Sequence, residues 1–339
     1  AKLMRLIQSA QNMTRIAIAD GMAPAAIELL ENAGHEVVNE PISSDELLKG
    51  ALSDFDAIVV RSATKLPAEV IAATSDRLKV IGRAGVGVDN IDIKAAAKAG
   101  IPVVNAPRAS TQSVIELTIG HLLASLRHLP RANRGLSEGK WQKKIMGGTE
   151  LSGKTLGLIG FGRIAQGVGA IAQAMGMEVH AFDPYLPVKI AKSQNTKMHK
   201  TVDTLFKNCT HISIHCNLTD ETHHLVNGER MAMMPGRSRD GINCGNHIVN
   251  CARGGIIDEI ALLHSLENGI ISSAALDVFE FEPIDPDYAL LQHDNFHGTP
   301  HIGAATLEAQ SRVGKDIANA IMTVLNGDKC ETTVNRDLL

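Results

Sequence analysis

The sequence predicts an α/β protein with two doubly wound domains, each built on a parallel sheet. Three observations predict this fold class. Short aliphatic and β-branched runs alternate with alanine-rich helical stretches. The alternation restarts near Thr155, after a stretch at 135–149 that we predict to be a loop. The length, 339 residues, is too great for one small core. Sheets of this kind bind ligands at the carboxyl ends of their strands, so we expect a cleft between the two domains.

Each half of the chain contains five predicted strands. In the first half they fall at 15–19, 37–38, 57–60, 80–81 and 103–104, with helices at 24–32, 65–74 and 93–99. In the second half they fall at 155–159, 178–182, 211–215, 247–250 and 273–276, with helices at 163–175 and 307–326. A longer helix is predicted at 111–126. Its apolar residues cover more of the helix surface than one packed face requires, which predicts that the helix is buried on two sides.

Composition excludes several classes of protein. The net charge of −4 provides no basic field, and aromatic residues make up only 3% of the chain, so nucleic acid is not an expected partner. No apolar run reaches membrane-spanning length. The five cysteines are odd in number and form no C-x-x-C pair, which predicts neither a disulfide framework nor a thiolate zinc site and favours the cytoplasm. The basic start, residues 1–7, is either a targeting segment or, as we favour, a frayed tail.

A glycine-rich turn follows the predicted strand at 155–159. The pattern Gly160-x-Gly162-x-x-Ala165 leads directly into an apolar-striped helix. The first glycine permits a tight turn, the second lets a pyrophosphate approach the backbone, and alanine lets the helix pack on the strand. The helix N-terminus then offers N–H groups to phosphates. This context predicts a Rossmann-like dinucleotide site rather than a purely structural turn.

An acidic residue ends the next predicted strand. Asp183 can accept hydrogen bonds from the ribose hydroxyls of the adenosine, and it would repel a 2′-phosphate. The residues after it, Pro184-Tyr185-Leu186, supply no arginine that could bind such a phosphate. NAD is therefore the predicted cofactor.

Three late motifs stand at the ends of predicted strands or in loops. They are Asn250-Cys251-Ala252-Arg253-Gly254-Gly255, Asp277-Val278-Phe279-Glu280-Phe281-Glu282-Pro283 and Thr299-Pro300-His301-Ile302-Gly303-Ala304. Hydride transfer with a 2-hydroxy acid needs a proton carrier, a cation for the carboxylate and a group that supports the proton carrier. The two glycines after Arg253 suggest a close approach of the backbone to a ligand.

With these motifs the sequence resembles the D-2-hydroxyacid dehydrogenase family over nearly its whole length. Further segments carry the resemblance: Val60-Arg61-Ser62-Ala63-Thr64-Lys65, Gly82-Arg83-Ala84-Gly85-Val86-Gly87-Val88-Asp89-Asn90 and Gly139-Lys140-Trp141. The resemblance implies that His301 exchanges the hydroxyl proton, that Glu282 pairs with His301, and that Arg253 binds the substrate carboxylate.

The resemblance also implies the cofactor contacts. Asp277 would meet the nicotinamide carboxamide, Asp183 the ribose, and Arg163 and Ile164 the pyrophosphate. The remaining implied cofactor contacts are Val86, Gly160, Gly162, Cys216, Cys251, Ala252, Arg253, His301, Gly303 and Ala304. Cys216 is a weaker assignment, because Asn217 follows it where the family usually has proline.

For the substrate, the resemblance implies backbone contacts from Val86 and Gly87. A phosphorylated hydroxy acid needs further cations. Arg61, Ser62, Arg83 and Lys143 occupy positions where phosphate or carboxylate contacts are expected, although Lys143 could equally belong to a solvated lysine run. We expect no metal, because no carboxylate or thiolate completes a site with His211 and His215.

In the family, the cofactor domain is inserted into the substrate domain. This implies a substrate domain of 1–105 plus 306–339, an NAD domain of 106–305, and a homodimer formed through the NAD domain and its helix at 111–126. Longer relatives add a regulatory domain that binds serine; the chain stops soon after its last helix, so none is expected. An unusual insertion precedes 249 and is expected to form a surface loop.

Two other functions remain open. One is a sibling reductase that acts on glyoxylate or hydroxypyruvate. The other is a non-enzymatic NAD-sensing protein on the same fold, since fold alone does not determine function.

Overall fold

The computed structural model describes residues 13–74 and 77–339, so the basic segment at 1–7 lies outside the described residues. The chain divides into two compact units. One unit joins the described residues up to Ser110 with Ala304–Leu339, and the other is Thr111–Gly303. Both contain parallel sheets flanked by helices, which confirms the predicted α/β class. The functional roles assigned to the two domains stay predictions.

The first unit is built on a five-stranded parallel sheet with the order β2-β1-β3-β4-β5. The strands are β1 (Arg15–Ile18), β2 (Glu36–Val38), β3 (Ala57–Val60), β4 (Val80–Arg83) and β5 (Val103–Asn105). The helices between them are α1 (Pro24–Asn32), α2 (Ser44–Leu48), α3 (Ala68–Ala72) and α4 (Ile93–Lys98), with a 3-10 turn at Ala51–Asp54. Strand β3 is buried along its whole length, as expected for a central parallel strand.

The last segment of the chain returns to this sheet. A long C-terminal helix (Leu307–Leu325) packs Val313, Ile317 and Ile321 into the core of the first unit. A Cβ atom on Gly82 of β4 would lie 2.9 Å from Ile321 Cδ1, so only glycine admits the helix this closely. Beyond the helix, the buried Asn335 side chain accepts from Val103 N–H (2.9 Å) and donates to the Ile101 carbonyl (2.9 Å).

The second unit is built on a seven-stranded parallel sheet with the order β12-β11-β10-β9-β6-β7-β8. Its strands are β6 (Thr155–Ile159), β7 (Glu178–Phe182), β8 (Lys197–Met198), β9 (His211–Ile214), β10 (His247–Asn250), β11 (Ser273–Leu276) and β12 (Phe296–Gly298). The chain runs from β6 to β7 and β8 on one side, then returns to β9 on the other side of β6. Such a switch point opens a crevice at the carboxyl ends of the strands.

The helices of the second unit surround this sheet. They are α5 (Thr111–Leu126), α6 (Leu129–Ser137), α7 (Arg163–Ala174), α8 (Val188–Ser193), α9 (Val202–Phe206), α10 (Gly228–Ala232), α11 (Glu259–Glu267) and α12 (Ala289–Gln292), and the C-terminal helix Leu307–Leu325 of the first unit is α13. Helix α5 packs so closely on α7 that a Cβ atom on Gly167 would lie 2.2 Å from Ile115 Cδ1. The absence of a side chain at Gly167 permits this close packing.

The predicted loop at 135–149 is partly wrong. Residues from Gly135 to Ser137 end helix α6, and Lys143–Ile145 forms a 3-10 turn. Pro130 lies in the first turn of α6, where a missing N–H group costs no hydrogen bond, so the proline begins this helix instead of breaking it.

The five cysteines are free thiols. Within the described part of the chain, no helix combines the length and the apolar character needed to cross a membrane. The insertion before β10 forms a tight turn in which Ser238 N–H donates to the Ile242 carbonyl (2.9 Å). Arg239 in this turn pairs with Glu178 at the start of β7 (2.5 Å).

Candidate active site

The glycine-rich turn lies at the carboxyl end of β6. Gly160 has a φ of +83°, and a Cβ atom there would lie 2.8 Å from the His215 carbonyl oxygen, so the turn requires glycine. A Cβ atom on Gly162, by contrast, would meet no atom within 4 Å. The backbone of Gly162 therefore faces open space that a ligand can approach.

Helix α7 begins directly after this turn. Gly162 is its N-cap residue, and no side chain caps the helix. The positive end of the helix dipole faces the open space beside Gly162, which is the arrangement that binds phosphates. These residues fit the pyrophosphate of a dinucleotide.

Asp183 follows β7 and holds the same turn. Its carboxylate accepts hydrogen bonds from the backbone N–H groups of Phe161 (2.9 Å), Tyr185 (2.9 Å) and Leu186 (3.1 Å). A carboxylate offers about four acceptor positions, so acceptor capacity remains for another donor. The ribose contact stays a prediction, and the observed role of Asp183 is to fix the turn.

His301 and Glu282 form a hydrogen-bonded pair at the edge of the second sheet. His301 Nδ1 lies 2.7 Å from Glu282 Oε2, and Glu282 Oε1 accepts from Phe279 N–H (3.0 Å). A carboxylate only accepts, so Nδ1 carries the proton and Nε2 is left as the nitrogen that can exchange one. The side chains are 46% and 36% exposed, which leaves them accessible to a substrate.

The electrostatics keep Glu282 charged. Burial raises the pKa of this carboxyl. Hydrogen bonds from His301 and Phe279 and the nearby charge of Arg253 lower the pKa by more than burial raises it, so the pKa lies below its usual value. The charged carboxylate lies directly beside the ring, 2.7 Å from Nδ1. The pair can therefore hold and release a proton at the ring.

Asp277 positions the loop that carries His301. The residue is only 1% exposed. Its Oδ1 atom accepts from the Thr299 hydroxyl (2.6 Å) and Ile302 N–H (2.8 Å), its Oδ2 atom accepts from Gly303 N–H (2.8 Å), and its carbonyl oxygen accepts from His301 N–H (2.8 Å). These bonds hold His301 in the left-handed region at φ +53°. The predicted carboxamide contact of Asp277 stays a prediction.

Two histidines lie behind Thr299. His121 Nε2 lies 3.1 Å from Thr299 Oγ1, and His121 Nδ1 lies 3.0 Å from His297 Nε2. Burial lowers the pKa of His121. Burial, together with the charge of His121, lowers the pKa of His297 to about 4. Both rings are therefore neutral at neutral pH.

The Arg253 loop follows β10 and is held by Asn250. The Asn250 side chain accepts from Ala252 N–H (2.9 Å) and donates to the Arg253 carbonyl (2.8 Å). The expected reason for the glycines after Arg253 needs correction. A Cβ atom on Gly254 would lie 1.8 Å from the Phe279 carbonyl oxygen, so the close neighbour of Gly254 is protein backbone. The close approach therefore joins the loops that carry Arg253 and Glu282.

Three further cofactor candidates of the second unit lie at the carboxyl ends of the strands, as the glycine-rich turn does. Cys216 follows β9, and Cys251 and Ala252 follow β10. Burial raises the pKa of the Cys216 thiol to about 11 and that of the Cys251 thiol to about 12. These thiols are neutral at neutral pH, so ionic contacts with phosphates are not their role.

In the first unit, Arg61 and Ser62 follow β3 and are exposed. The Asp20 carboxylate accepts from Arg61 N–H (2.6 Å), Thr64 N–H (3.1 Å) and the Thr64 hydroxyl (2.6 Å). Asn90 Nδ2 donates to the carbonyls of Arg61 (2.7 Å) and Thr64 (2.6 Å). The loop is thus held rigidly while the Arg61 guanidinium stays at the surface.

The other predicted substrate residues are more scattered. Arg83 ends β4 and donates to the Ala84 carbonyl (3.3 Å), and the Val86 carbonyl beside Gly87 accepts from Asn105 Nδ2 (2.6 Å). Ala304, which was predicted as a cofactor contact, is exposed in the first unit. Lys143 is exposed in the second unit, in the 3-10 turn.

Sequence reasoning missed the residues that hold these loops. Asp20, Asn90, His121, Asn250 and Thr299 make the contacts described above. Asp20 and Asn250 stand at the ends of strands β1 and β10, and this position was a usable signal. His121 lies inside a helix and gives no such signal.

One group of side chains could offer three metal ligands: His223, His224 and Glu280. The two rings stack with centroids 4.0 Å apart at 21°, so their in-plane lone pairs run side by side and do not converge on one ion. A direct hydrogen bond of 2.9 Å between His224 Nε2 and Glu280 Oε1 accounts for the contact. Among the described residues, the His211–His215 pair is not part of such a group.

The fold and the glycine-rich turn define the class of protein: one with a Rossmann-like dinucleotide-binding domain. The chain belongs to the D-isomer specific 2-hydroxyacid dehydrogenase family, because residues 119–303 match the sequence model of the NAD-binding domain of that family. The match covers the second unit from residue 119 onward and all of the late motifs up to Gly303.

Individual relatives agree with this assignment. The chain is 46% identical over 323 residues to a protein of Methanocaldococcus jannaschii named D-3-phosphoglycerate dehydrogenase; the match covers 95% of this chain and 60% of the relative. It is also 46% identical over 314 residues to a protein of Thermotoga maritima named hydroxypyruvate reductase, with 92% of this chain and 98% of the relative covered. The chain thus spans about 60% of the length of the first relative and nearly all of the second.

A solved structure has the same fold. A glyoxylate reductase from Paecilomyes thermophila superimposes with a TM-score of 0.83 at 27% identity, covering 95% of this chain and 98% of that structure.

Proposed function

We propose that this protein is an NAD-dependent D-3-phosphoglycerate dehydrogenase, which oxidises C2 of 3-phosphoglycerate and forms 3-phosphohydroxypyruvate. The observation that carries the proposal is the His301–Glu282 pair, 2.7 Å apart, beside the Arg253 loop. The 46% identity to a relative of that name supports the choice of substrate.

The side chains divide the chemistry among them. His301 Nε2 accepts the C2 hydroxyl proton during oxidation and returns it during reduction. Glu282 stabilises the positive charge that forms on the ring. Arg253 holds the substrate carboxylate through a charge-assisted contact. The nicotinamide cofactor, held by Gly160, Gly162 and the start of α7, supplies the hydride chemistry when bound.

NAD is the proposed form of the cofactor. The carboxylate of Asp183, fixed at the end of β7, would repel the extra phosphate of NADP. The side chains that follow are Pro184, Tyr185 and Leu186, which bring no positive charge. A comparison of KM for NADH and NADPH tests this, and equal values would contradict it.

The phosphate preference rests on the first unit. Arg61 is exposed at the carboxyl end of β3, on a loop fixed by Asp20 and Asn90, and Lys65 is exposed on the same loop. A fixed loop presents a guanidinium in one place, which favours bidentate recognition of an anion.

The second candidate is hydroxypyruvate reductase, favoured by the Thermotoga maritima relative that matches over nearly its whole length. The decisive experiment compares 3-phosphohydroxypyruvate with hydroxypyruvate by following NADH absorbance. The proposal predicts a kcat/KM at least about 100-fold higher for the phosphorylated substrate, because one lost charge-assisted contact costs on the order of 3 kcal/mol. Equal values would assign the second function instead.

We also propose a homodimer formed through the second unit. The segment after α5 exposes four large apolar side chains: Leu129, Leu136, Trp141 and Ile145. A soluble monomer rarely exposes such a group on one segment. Sedimentation of the wild type and of Trp141→Glu tests the proposal, and a monomeric wild type would overturn it.

A further inference from the structure

A chain of four hydrogen-bonded side chains runs behind the loop that carries His301. We call it the relay: His297, His121, Thr299 and Asp277. Successive atoms lie 3.0 Å apart between His297 Nε2 and His121 Nδ1, 3.1 Å between His121 Nε2 and Thr299 Oγ1, and 2.6 Å between Thr299 Oγ1 and Asp277 Oδ1. All four residues lie in the second unit.

The relay has one direction. The Asp277 carboxylate only accepts, so the Thr299 hydroxyl donates its single proton to Asp277. Thr299 Oγ1 must then accept from His121, which places the proton of His121 on Nε2. His121 Nδ1 consequently accepts from His297 Nε2–H. Both rings have to be neutral for this, and burial, which lowers the pKa of each, meets that condition.

We propose that His121 is a positioning residue, which acts through Thr299 to fix the Asp277 carboxylate and with it the backbone that presents His301. The inference rests on the proposed function, in which His301 exchanges the substrate proton. His121 itself is 4% exposed and touches no reacting atom.

The geometry explains why this support matters. His301 lies in an irregular segment outside helices and strands, in the left-handed region at φ +53°. The Asp277 carboxylate accepts from the backbone N–H groups of Ile302 and Gly303, and the main-chain carbonyl of Asp277 accepts from His301 N–H. The placement of the carboxylate therefore sets that of the two residues that directly follow His301. A displacement of about 1 Å at such a site can cost 100-fold in rate.

Packing alone does not account for the two histidines. An imidazole buried in a helix loses its hydration, whereas an apolar side chain would fill the same volume without that cost. The desolvation is offset here only because both ring nitrogens of His121 are hydrogen-bonded.

Three substitutions of His121 separate hydrogen bonding from packing. The amide nitrogen of glutamine reaches the position of histidine Nε2, so His121→Gln can still donate to Thr299. The amide of asparagine reaches only the Nδ1 position, so His121→Asn cannot, and His121→Leu removes both contacts. We expect kcat to fall at least about tenfold in the leucine and asparagine variants and less than about threefold in the glutamine variant.

The measurement is steady-state kinetics with NADH and whichever 2-oxo acid the wild type reduces fastest, together with the Kd for NADH from fluorescence. A positioning role lowers kcat and leaves that Kd within about threefold. A merely structural role lowers the thermal midpoint but leaves kcat of the folded enzyme unchanged. Equal kcat in all three variants, or equal losses in the glutamine and leucine variants, would overturn the proposal.

A matched control comes from another histidine of the same unit. His199 is also partly buried, and its Nε2 atom lies 3.0 Å from His180 Nδ1, outside the relay. His199→Leu should leave kcat unchanged. Thr299→Val combined with His121→Leu should cost no more than Thr299→Val alone, because His121 acts only through the Thr299 hydroxyl, which valine lacks.

The two levels of inference fail in different ways. If 3-phosphohydroxypyruvate is not the substrate, another 2-oxo acid serves in the assay, and the ratios between the His121 variants are unaffected. If His121 does not position the loop, those ratios are one whatever the substrate.

Discussion

The two units hold their loops with carboxylates at the ends of strands, but the carboxylates serve different neighbours. In the first unit, Asp20 after β1 binds the backbone of the loop after β3, and the exposed Arg61 side chain does not take part. In the second unit, the Asp277 carboxylate after β11 binds the backbone N–H groups of Ile302 and Gly303, the two residues that follow the histidine proposed to move a proton.

This difference separates binding from chemistry. In the first unit the side chain proposed to bind the substrate extends from a loop that other groups fix, so the side chain can change without disturbing the loop. In the second unit each contact that fixes the loop also aims His301. Substitutions in the first unit should therefore change substrate preference, and substitutions in the second unit should change rate.

The largest expected effect tests the second unit. His301→Asn should lower kcat on the order of 1000-fold, because general acid–base catalysis contributes about 10²–10⁴. Asparagine tolerates the left-handed backbone, so the change removes the ring without straining the loop. The assay is NADH oxidation with a 2-oxo acid, and the unfolding midpoint is the control. Turnover within threefold of the wild type would assign the proton transfer to another group.

A smaller effect tests the first unit. Arg61→Met should raise KM for the phosphorylated substrate about tenfold and leave KM for hydroxypyruvate unchanged, since a lost charge-assisted contact costs at least about 1.5 kcal/mol. Lys65→Met, on the same loop, is the matched comparison and should change KM less. An equal rise in KM for both substrates would contradict the claim that Arg61 binds the phosphate.

A weaker effect is expected from the residue that holds the Arg61 loop. Asp20→Asn replaces a carboxylate that accepts three hydrogen bonds with an amide that has one acceptor oxygen. We expect a loss of about 1–2 kcal/mol in the free energy of unfolding and a rise of about threefold in KM for the phosphorylated substrate, with kcat unchanged. Urea unfolding and kinetics measure both. A fall in kcat as large as that of His301→Asn would contradict the comparison.

The smallest effect concerns pH. The pKa of Glu282 is lowered in the folded protein, so its stabilising contribution is present above its unfolded pKa and is lost as the pH falls through the lower folded value. The His301–Glu282 pair is more than one-third exposed, so the contribution should stay below about 1 kcal/mol. Urea unfolding of the wild type and Glu282→Gln at pH 7 and pH 3 should give a stability difference that shrinks at pH 3. A difference that grows at pH 3 would contradict the direction of the shift.

Local patterns made much of the fold predictable. Strands such as β3 and β6 are continuous apolar runs, and α5 has bounds that match the predicted 111–126, because hydrophobic pattern and helix signals lie within one short stretch of sequence. Helix α6 was not predicted, and its last residues, from Gly135 to Ser137, fall in the predicted loop, because glycines and lysines there resemble a loop composition.

Part of the candidate site was also predictable from local sequence patterns. His301, Glu282 and Arg253 stand in short motifs, so the sequence shows them directly. His121 and Thr299 act through contacts between residues far apart in the chain, and no local pattern reports such a contact. The sequence shows that a glycine is needed after Arg253, but the predicted reason, a nearby ligand, was wrong. The group that leaves no room for a side chain on Gly254 is the backbone of Phe279 in another loop.

The return of the C-terminal helix to the first sheet has a consequence for synthesis on the ribosome. Strands β1 to β5 emerge before the second unit, yet the apolar surface that α13 covers stays open until residues Leu307–Leu325 have been made. The second unit, whose residues all lie between those two segments, can complete its own core earlier. Although its strands are made before the second unit, the first unit is therefore the later of the two to complete its core.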